Sequence, residues 1–246
     1  MRRMTARSVV LSVLLGAHPA CASASELVRL TSDFGIRETT LRVALTRMVG
    51  AGDLVRSAEG YRLSDRLLAR QRRQDDAMRP RVKAWRGRWR IVIVTHVGAD
   101  ARGRALLRTA MQENRFGELR EGVWMRPDNL ELDLNSDVRA RVRVLSGRDE
   151  APVELAGQLW DLPAWASKGH RLLEEMAVKS EAADIPGRFV VAAAMVRHLL
   201  ADPTLPHELL PAEWPGAALR AVYHDFAAEL VRRRMASEPT QLLEAT

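Results

Sequence analysis

The stretch Asp33-Phe34-Gly35-Ile36-Arg37-Glu38-Thr39-Thr40-Leu41-Arg42-Val43-Ala44-Leu45-Thr46-Arg47-Met48-Val49-Gly50 decides how this chain is read. Asp33-Phe34-Gly35 breaks a preceding helix, and Gly35 is free to enter the left-handed region. A new helix begins near Arg37 and runs to about Ala51. Leu41, Ala44, Leu45, Met48 and Val49 recur at the spacing of a buried stripe. Thr39, Thr40, Arg42, Val43, Thr46 and Arg47 fall on the opposite side. Arg37 stands where a Ser or Thr would cap the helix better. Upstream, Ser23 or Ser25 caps a short helix through Glu26, Leu27, Val28 and Leu30. Helix, short glycine-containing turn, helix is the pattern of a DNA-reading helix-turn-helix.

Downstream, Asp53-Leu54-Val55-Arg56-Ser57 and Gly60-Tyr61-Arg62-Leu63 form two strand-like runs, a hairpin that would act as a wing. Short side chains at Thr39, Thr40 and Thr46 let a helix lie deep in the major groove and touch base edges or thymine methyls. Arg42 and Arg47 can grip guanine or phosphate, while Arg56 and Arg62 reach flanking phosphate or the minor groove. The bland alternative is a solvated polar face. Charge favours the first reading. Residues 1–90 carry 19 basic and 8 acidic side chains; residues 91–246 carry 19 and 23. The cations are nearly all Arg, the better fork for phosphate and guanine edges.

The N-terminus imitates a secretory signal: Met1-Arg2-Arg3, an apolar run from Val9 to Gly16, then Ala22-Ser23-Ala24. Arg7 shortens the apolar segment, and Val9, Val10, Val13 and Leu14 also fit one face of a helix. Residues 4–16 are therefore read as the first helix of a winged-helix domain over 1–63, and the protein as cytoplasmic. No apolar run reaches the length of a membrane span. A helix over 64–78 follows within a linker segment, 64–84, with Arg66, Arg70 and Arg73 on one side. That side would track phosphates, join a dimer, or simply be solvated.

From Trp89 the pattern changes. Strands are expected over 89–94, 122–127 and 139–144, with a helix over 102–114, which suggests a ferredoxin-like domain over 85–150. In the third strand Arg139, Arg141 and Arg143 would share one face, as an anion site for an effector or as the solvent side of a sheet. Helices dominate a C-terminal domain over 151–240, and 241–246 reads as a disordered tail. The fold class is thus α+β: a winged helix-turn-helix, a ferredoxin-like middle and a helical C-terminal domain.

Four stretches resemble one family. They are Asp202-Pro-x-Leu-Pro-x-Glu-Leu-Leu-Pro-x-x-Trp-Pro-Gly216, Leu159-Trp160-Asp161-Leu162, Gly122-Val-Trp-x-Arg-Pro127 and Thr40-Leu-Arg-x-Ala-Leu-x-Arg47. Together they make the chain similar to the PaaX family of transcriptional repressors over nearly its whole length. The resemblance implies a middle domain shaped like CRISPR Cas2 proteins. It also implies a homodimer that represses aromatic-acid catabolic genes at a palindromic double-stranded operator. Release would follow binding of an acyl-CoA thioester, typically phenylacetyl-CoA. The chain is shorter than typical members, and Thr95-His96 stands where a Cas2-like nuclease would carry an acidic metal ligand.

Enzymatic alternatives find less support. The six His residues form no pair four apart on one helix and no ligand triad, so no metal or cofactor is expected. Cys21, read as lying in a loop, has no basic partner nearby in sequence. No phosphate-binding or nucleophile-elbow motif occurs. The expectation is a regulator and not an enzyme. The alternative is an enzyme that processes nucleic acid or a thioester through the ferredoxin-like domain.

Overall fold

The computed structural model of the chain describes residues 4–96 and 101–235. Met1-Arg2-Arg3 and the tail 241–246 lie outside the described residues. The first helix, α1 (Ala6–Gly16), starts at a capping box. Ser8 N–H donates to the Thr5 hydroxyl at 3.2 Å, and the Ser8 hydroxyl accepts from Thr5 N–H at 3.0 Å. Val9, Val10 and Leu14 are fully buried. The run that imitates a signal sequence is therefore core.

A two-residue strand, β1 (Cys21–Ala22), follows, so Cys21 does not lie in a loop as expected. Helix α2 (Ala24–Ser32) opens on a second capping box, from Ser23 to Glu26. Gly35, at φ +65°, turns the chain into α3 (Glu38–Gly50), whose buried positions are Leu41, Leu45 and Met48. Strands β2 (Leu54–Ser57) and β3 (Gly60–Leu63) pair antiparallel, and β1 adds to the other side of β3 with Cys21 opposite Arg62. Gly60 needs its open α-carbon: a Cβ there would strike the Ala22 carbonyl. Leu14, Leu27, Leu41, Leu45, Leu54 and Leu63 share one core, giving three helices and a hairpin, the winged-helix arrangement.

Helix α4 (Asp65–Met78) packs on this body. Buried Gln71 donates through Nε2 to the carbonyls of Leu14, Leu15 and Ala17, at 3.2, 3.2 and 2.8 Å, and so caps the C-terminal end of α1. Asp53 is 2% exposed. It accepts from Arg7 Nη2 at 2.8 Å and from Arg66 Nη2 at 2.6 Å, linking α1 and α4 across the root of the hairpin.

The middle of the chain runs β4 (Trp89–Val94), α5 (Ala101–Glu113), β5 (Gly117–Arg120), β6 (Val123–Pro127), α6 (Ser136–Arg139) and β7 (Val142–Gly147). The sheet order is β5-β6-β4-β7 and every pairing is antiparallel, the ferredoxin-like topology. Strand β5 is additional to those expected; at four residues with charged Glu118 and Arg120 it carries little apolar signal. The strand expected over 139–144 starts only at Val142. Asn135 caps a helical turn, its Oδ1 accepting from Val138 N–H at 2.9 Å, and that turn takes up Arg139. Both faces of the sheet are covered. Val92, Trp124 and Val142 meet Met111 and Val138, while Trp89 and Met125 meet Leu155, Ala156 and Leu209.

The remainder is helical: α7 (Pro152–Leu159), α8 (Leu162–Glu181), α9 (Ile185–Leu200), a 3-10 turn at His207–Leu209, and α10 (Gly216–Met235). The chain forms two compact units, neither continuous in sequence. The first holds the residues up to Met78, Leu172–Leu200 and those from Ala218 on; the second holds Arg79–Arg171 and Ala201–Ala217. Within the first unit, Arg188 lies over the Phe226 ring at 4.6 Å and its Nη2 bonds Glu229 at 2.8 Å, joining α9 to α10.

Two stability measurements test these contacts. Removing the Asp53 carboxylate deprives two guanidiniums of their acceptor, so Asp53→Ala should lower urea stability by about 1–3 kcal/mol. Arg7→Ala should cost less, because Arg66 remains; an unaltered midpoint for Asp53→Ala would exclude the clamp. The hydrogen bond from Arg188, opposed by burial and helped by Arg233, holds the Glu229 carboxyl below its ordinary value of 4.5. A carboxyl with a depressed folded pKa contributes stability that is complete above 4.5 and is lost as pH falls through the folded value. Glu229→Gln should therefore show a shallower loss of stability on acidification than the parent, measured by urea midpoints from pH 6 downward.

Candidate nucleic-acid interface

The exposed side of α3 divides into two stripes. Residues four apart on a helix are neighbours, which puts Glu38, Arg42 and Thr46 in one row. This row is satisfied internally. Arg42 Nε donates to Glu38 Oε1 at 2.8 Å, and the Thr46 hydroxyl donates back to the Arg42 carbonyl at 3.1 Å. The other row holds Thr39, Thr40, Val43 and Arg47, and it lines a groove whose far side is Thr5 and Arg7 at the start of α1. Among the described residues, the Arg47 guanidinium has no ion-pair or hydrogen-bond partner. Val43 is 52% exposed, an apolar side chain in water at the middle of the row.

The flanking arginines are placed differently. Arg37 occupies the N-cap of α3 with no side-chain cap bond, and its side chain is exposed. Arg56 on β2 lies 5.8 Å from the Tyr61 ring centroid, and Arg62 on β3 is exposed across from Val55. The structure therefore brings Thr39, Thr40 and Arg47 together, holds Arg42 and Thr46 within their own helix, and puts Arg56 and Arg62 on the hairpin. Arg7 is the residue that sequence reading missed. Its signal was slight, a lone cation in an apolar run, yet its guanidinium stays 61% exposed while bonded to Asp53.

The triplet Arg139, Arg141 and Arg143 does not form a row. Arg139 ends the α6 turn, Arg141 precedes the strand and offers its carbonyl to Thr95 N–H at 2.9 Å, and only Arg143 lies on β7. The strand periodicity that would align them begins after Arg141. Among the described residues, no group of three or more His, Cys, Asp and Glu is placed to hold a metal ion. None of the described helices is long and apolar enough to cross a membrane.

Two of the distinctive stretches build the second unit. Arg126 is 1% exposed, lies 5.0 Å from the Phe116 ring centroid, and donates from Nη2 to the carbonyls of Leu130 and Glu131. Burial, with the nearby charge of Arg90, pulls its pKa down to about 10, which leaves it cationic near neutrality. In the proline-rich stretch, Asp202 Oδ1 accepts from Thr204 N–H at 2.8 Å, and the Thr204 carbonyl accepts from Asn129 Nδ2 at 2.8 Å. Trp214 stacks on Trp165 at 4.3 Å with 10° between the rings.

Comparison with known families gives three matches in chain order. Residues 5–67 match the family described as PaaX-like protein. Residues 82–150 match the PaaX protein central Cas2-like domain, and residues 160–237 match the PaaX-like protein C-terminal domain. The comparison with curated proteins gave no match. A solved structure described as an uncharacterized protein, Rv0674, from Mycobacterium tuberculosis is similar at 75% sequence identity and a TM-score of 0.85. The likeness covers 94% of this chain and 98% of that one.

Proposed function

The chain belongs to the PaaX-like family, and from that premise we propose that it is a transcriptional repressor acting in the cytoplasm as a homodimer on palindromic operator DNA. The observation that carries this reading is the outer row of α3. It presents two Thr hydroxyls, a solvent-exposed Val and an Arg without an ion-pair partner, in the strongly basic third of the chain. Those groups suit major-groove readout: hydroxyls to either base edge, an apolar contact for a thymine methyl, and a fork for guanine. Arg37, Arg56, Arg62 and Arg7 flank the row with cations for phosphate, which fixes register without reading sequence.

Arg42 and Thr46 belong to the same face but start from a disadvantage. Arg42 must leave Glu38 before it can bind DNA, and Glu38 itself repels phosphate. A two-fold dimer would present its two α3 helices to half-sites about one helical turn apart. Its effector is proposed to be an acyl-CoA thioester, a small-molecule class consistent with the family. The ligand would act by favouring a dimer geometry that no longer matches those half-sites.

Fluorescence anisotropy with DNA from upstream of the protein's own gene tests the assignment. Arg47→Ala should weaken binding by about 1–3 kcal/mol and relax preference at one base pair. Arg42→Ala should cost less. Arg56→Ala should weaken all sequences alike and lower the salt slope by about one. Equal affinity and selectivity for Arg47→Ala and the parent would remove α3 as the reading helix.

A further inference from the structure

Within the first unit, α1, α4, α9 and α10 enclose a partly open cavity of about 130 Å³. Helix-forming small residues create the space: Ala192 and Ala193 on α9 face Ala227 on α10, and Gly16 closes α1. An apolar cavity of ~150 Å³ stays dry and accepts benzene, so this one is in the size class of a single ring. It is not uniformly apolar. Gln74 Nε2 donates to the Tyr223 hydroxyl at 3.2 Å, and that hydroxyl's own proton has no acceptor among the described residues. Burial pushes the Tyr223 phenol up, with Asp75 adding to the shift, so the group stays a donor.

The lining also carries a charge signature. Arg70 on α4 and Arg197 on α9 are both exposed, and neither has an ion-pair or hydrogen-bond partner among the described residues. Among the described residues, no Asp or Glu lines the cavity. Apolar walls, one half-buried donor and two free guanidiniums complement a compact apolar group that ends in an oxygen acceptor and carries negative charge outside.

We propose that this cavity is the effector site, taking a benzene-sized acyl group whose carbonyl oxygen faces Tyr223 and whose anionic part meets Arg70 and Arg197. The proposal rests on the regulator reading and gives it a location. The same chemistry is offered by a free aromatic carboxylate and by its CoA thioester. Occupancy reaches DNA through shared walls. α1 and α4 line the cavity, α1 packs on α3 through the common core, and Asp53 ties α1 and α4 to the end of α3. A ligand that spreads α9 and α10 from α1 and α4 alters how the reading helix is carried.

Calorimetric titration of the full chain with benzoate, benzoyl-CoA, free CoA and toluene provides the test. Benzoate or benzoyl-CoA should bind saturably, and free CoA should not. Ala227→Leu and Ala193→Leu fill the space with apolar volume; either folded variant should bind about tenfold more weakly or not at all. Arg197→Ala should weaken the anionic probes by about threefold to fivefold and leave toluene unaltered. Binding by benzoate alone identifies the free acid as the source, and binding by benzoyl-CoA alone identifies the thioester. No binding by either, or parent-like affinity in both filled variants, overturns the proposal. Anisotropy on the upstream DNA, with and without probe, separates the two readings. If ligand-free protein prefers no DNA sequence while the filled variants lose benzoate, the cavity stands and the regulator reading falls.

Discussion

One buried carboxylate, Asp53, holds the N-terminal body together. A charge taken out of water is tolerated only when it is paired and hydrogen-bonded, and Asp53 has both Arg7 and Arg66. Its backbone is engaged as well: its N–H donates to the Met48 carbonyl at 2.9 Å, and its carbonyl accepts from Ser64 N–H at 3.0 Å. The residue therefore ties the last turn of α3, the root of the hairpin, the start of α4 and the first turn of α1. Four elements meet at one residue. The exposed row of α3 is consequently presented by a body whose parts cannot drift independently, which recognition of a groove demands.

The same logic of buried polar anchors extends through α4. Gln71 satisfies three carbonyls at the end of α1, a place where helices leave unpaired acceptors. Gln74 then reaches Tyr223 on α10, and Arg220 Nε donates to the Ala77 carbonyl at 3.0 Å. The C-terminal helices thus engage the winged-helix body through directed bonds and leave apolar space beside them. Unfilled space of this kind is costly to keep in a well-packed interior, where voids are few. Its retention at the point where α9 and α10 meet α1 and α4 is what makes it informative.

Short-range signals are legible in the sequence. The cap at Ser23 or Ser25, which the structure assigns to Ser23, the Gly35 turn, the stripe of Leu41, Leu45 and Met48, and the hairpin around Gly60 all involve neighbours within a few residues. What depends on distant residues was hidden. The helix over 64–78 leaves phosphate tracking, a dimer junction and simple solvation all open, because its buried side includes Gln71 and Gln74, whose polarity is satisfied only by carbonyls and a phenol far along the chain. The Arg139 to Arg143 alternation misled for a related reason. A period of two is also produced by a helical turn followed by a strand, and the Asn135 cap decides the matter in favour of the turn. The non-contiguous first unit had no sequence signal at all, since the apolar faces of α9 and α10 match any partner of suitable shape.

The arginine excess also has a physical division that composition conceals. Arg126 and Arg188 each anchor something inside the fold, so their charge contributes little to an external polyanion. Arg7 and Arg66, bonded to Asp53 yet largely exposed, are open to both tasks. The guanidiniums of Arg37 and Arg47 on α3 and Arg62 on the hairpin, and those of Arg70 and Arg197 at the cavity, have no ion-pair or hydrogen-bond partner among the described residues, and a guanidinium that need not abandon a carboxylate can give its full interaction to a ligand. On the proposed reading, the two sets of guanidiniums would serve two anionic ligands. α1 lines both the cavity and the groove on α3, and α4 joins it at Asp53, so on that reading each ligand would bear on walls that carry the other.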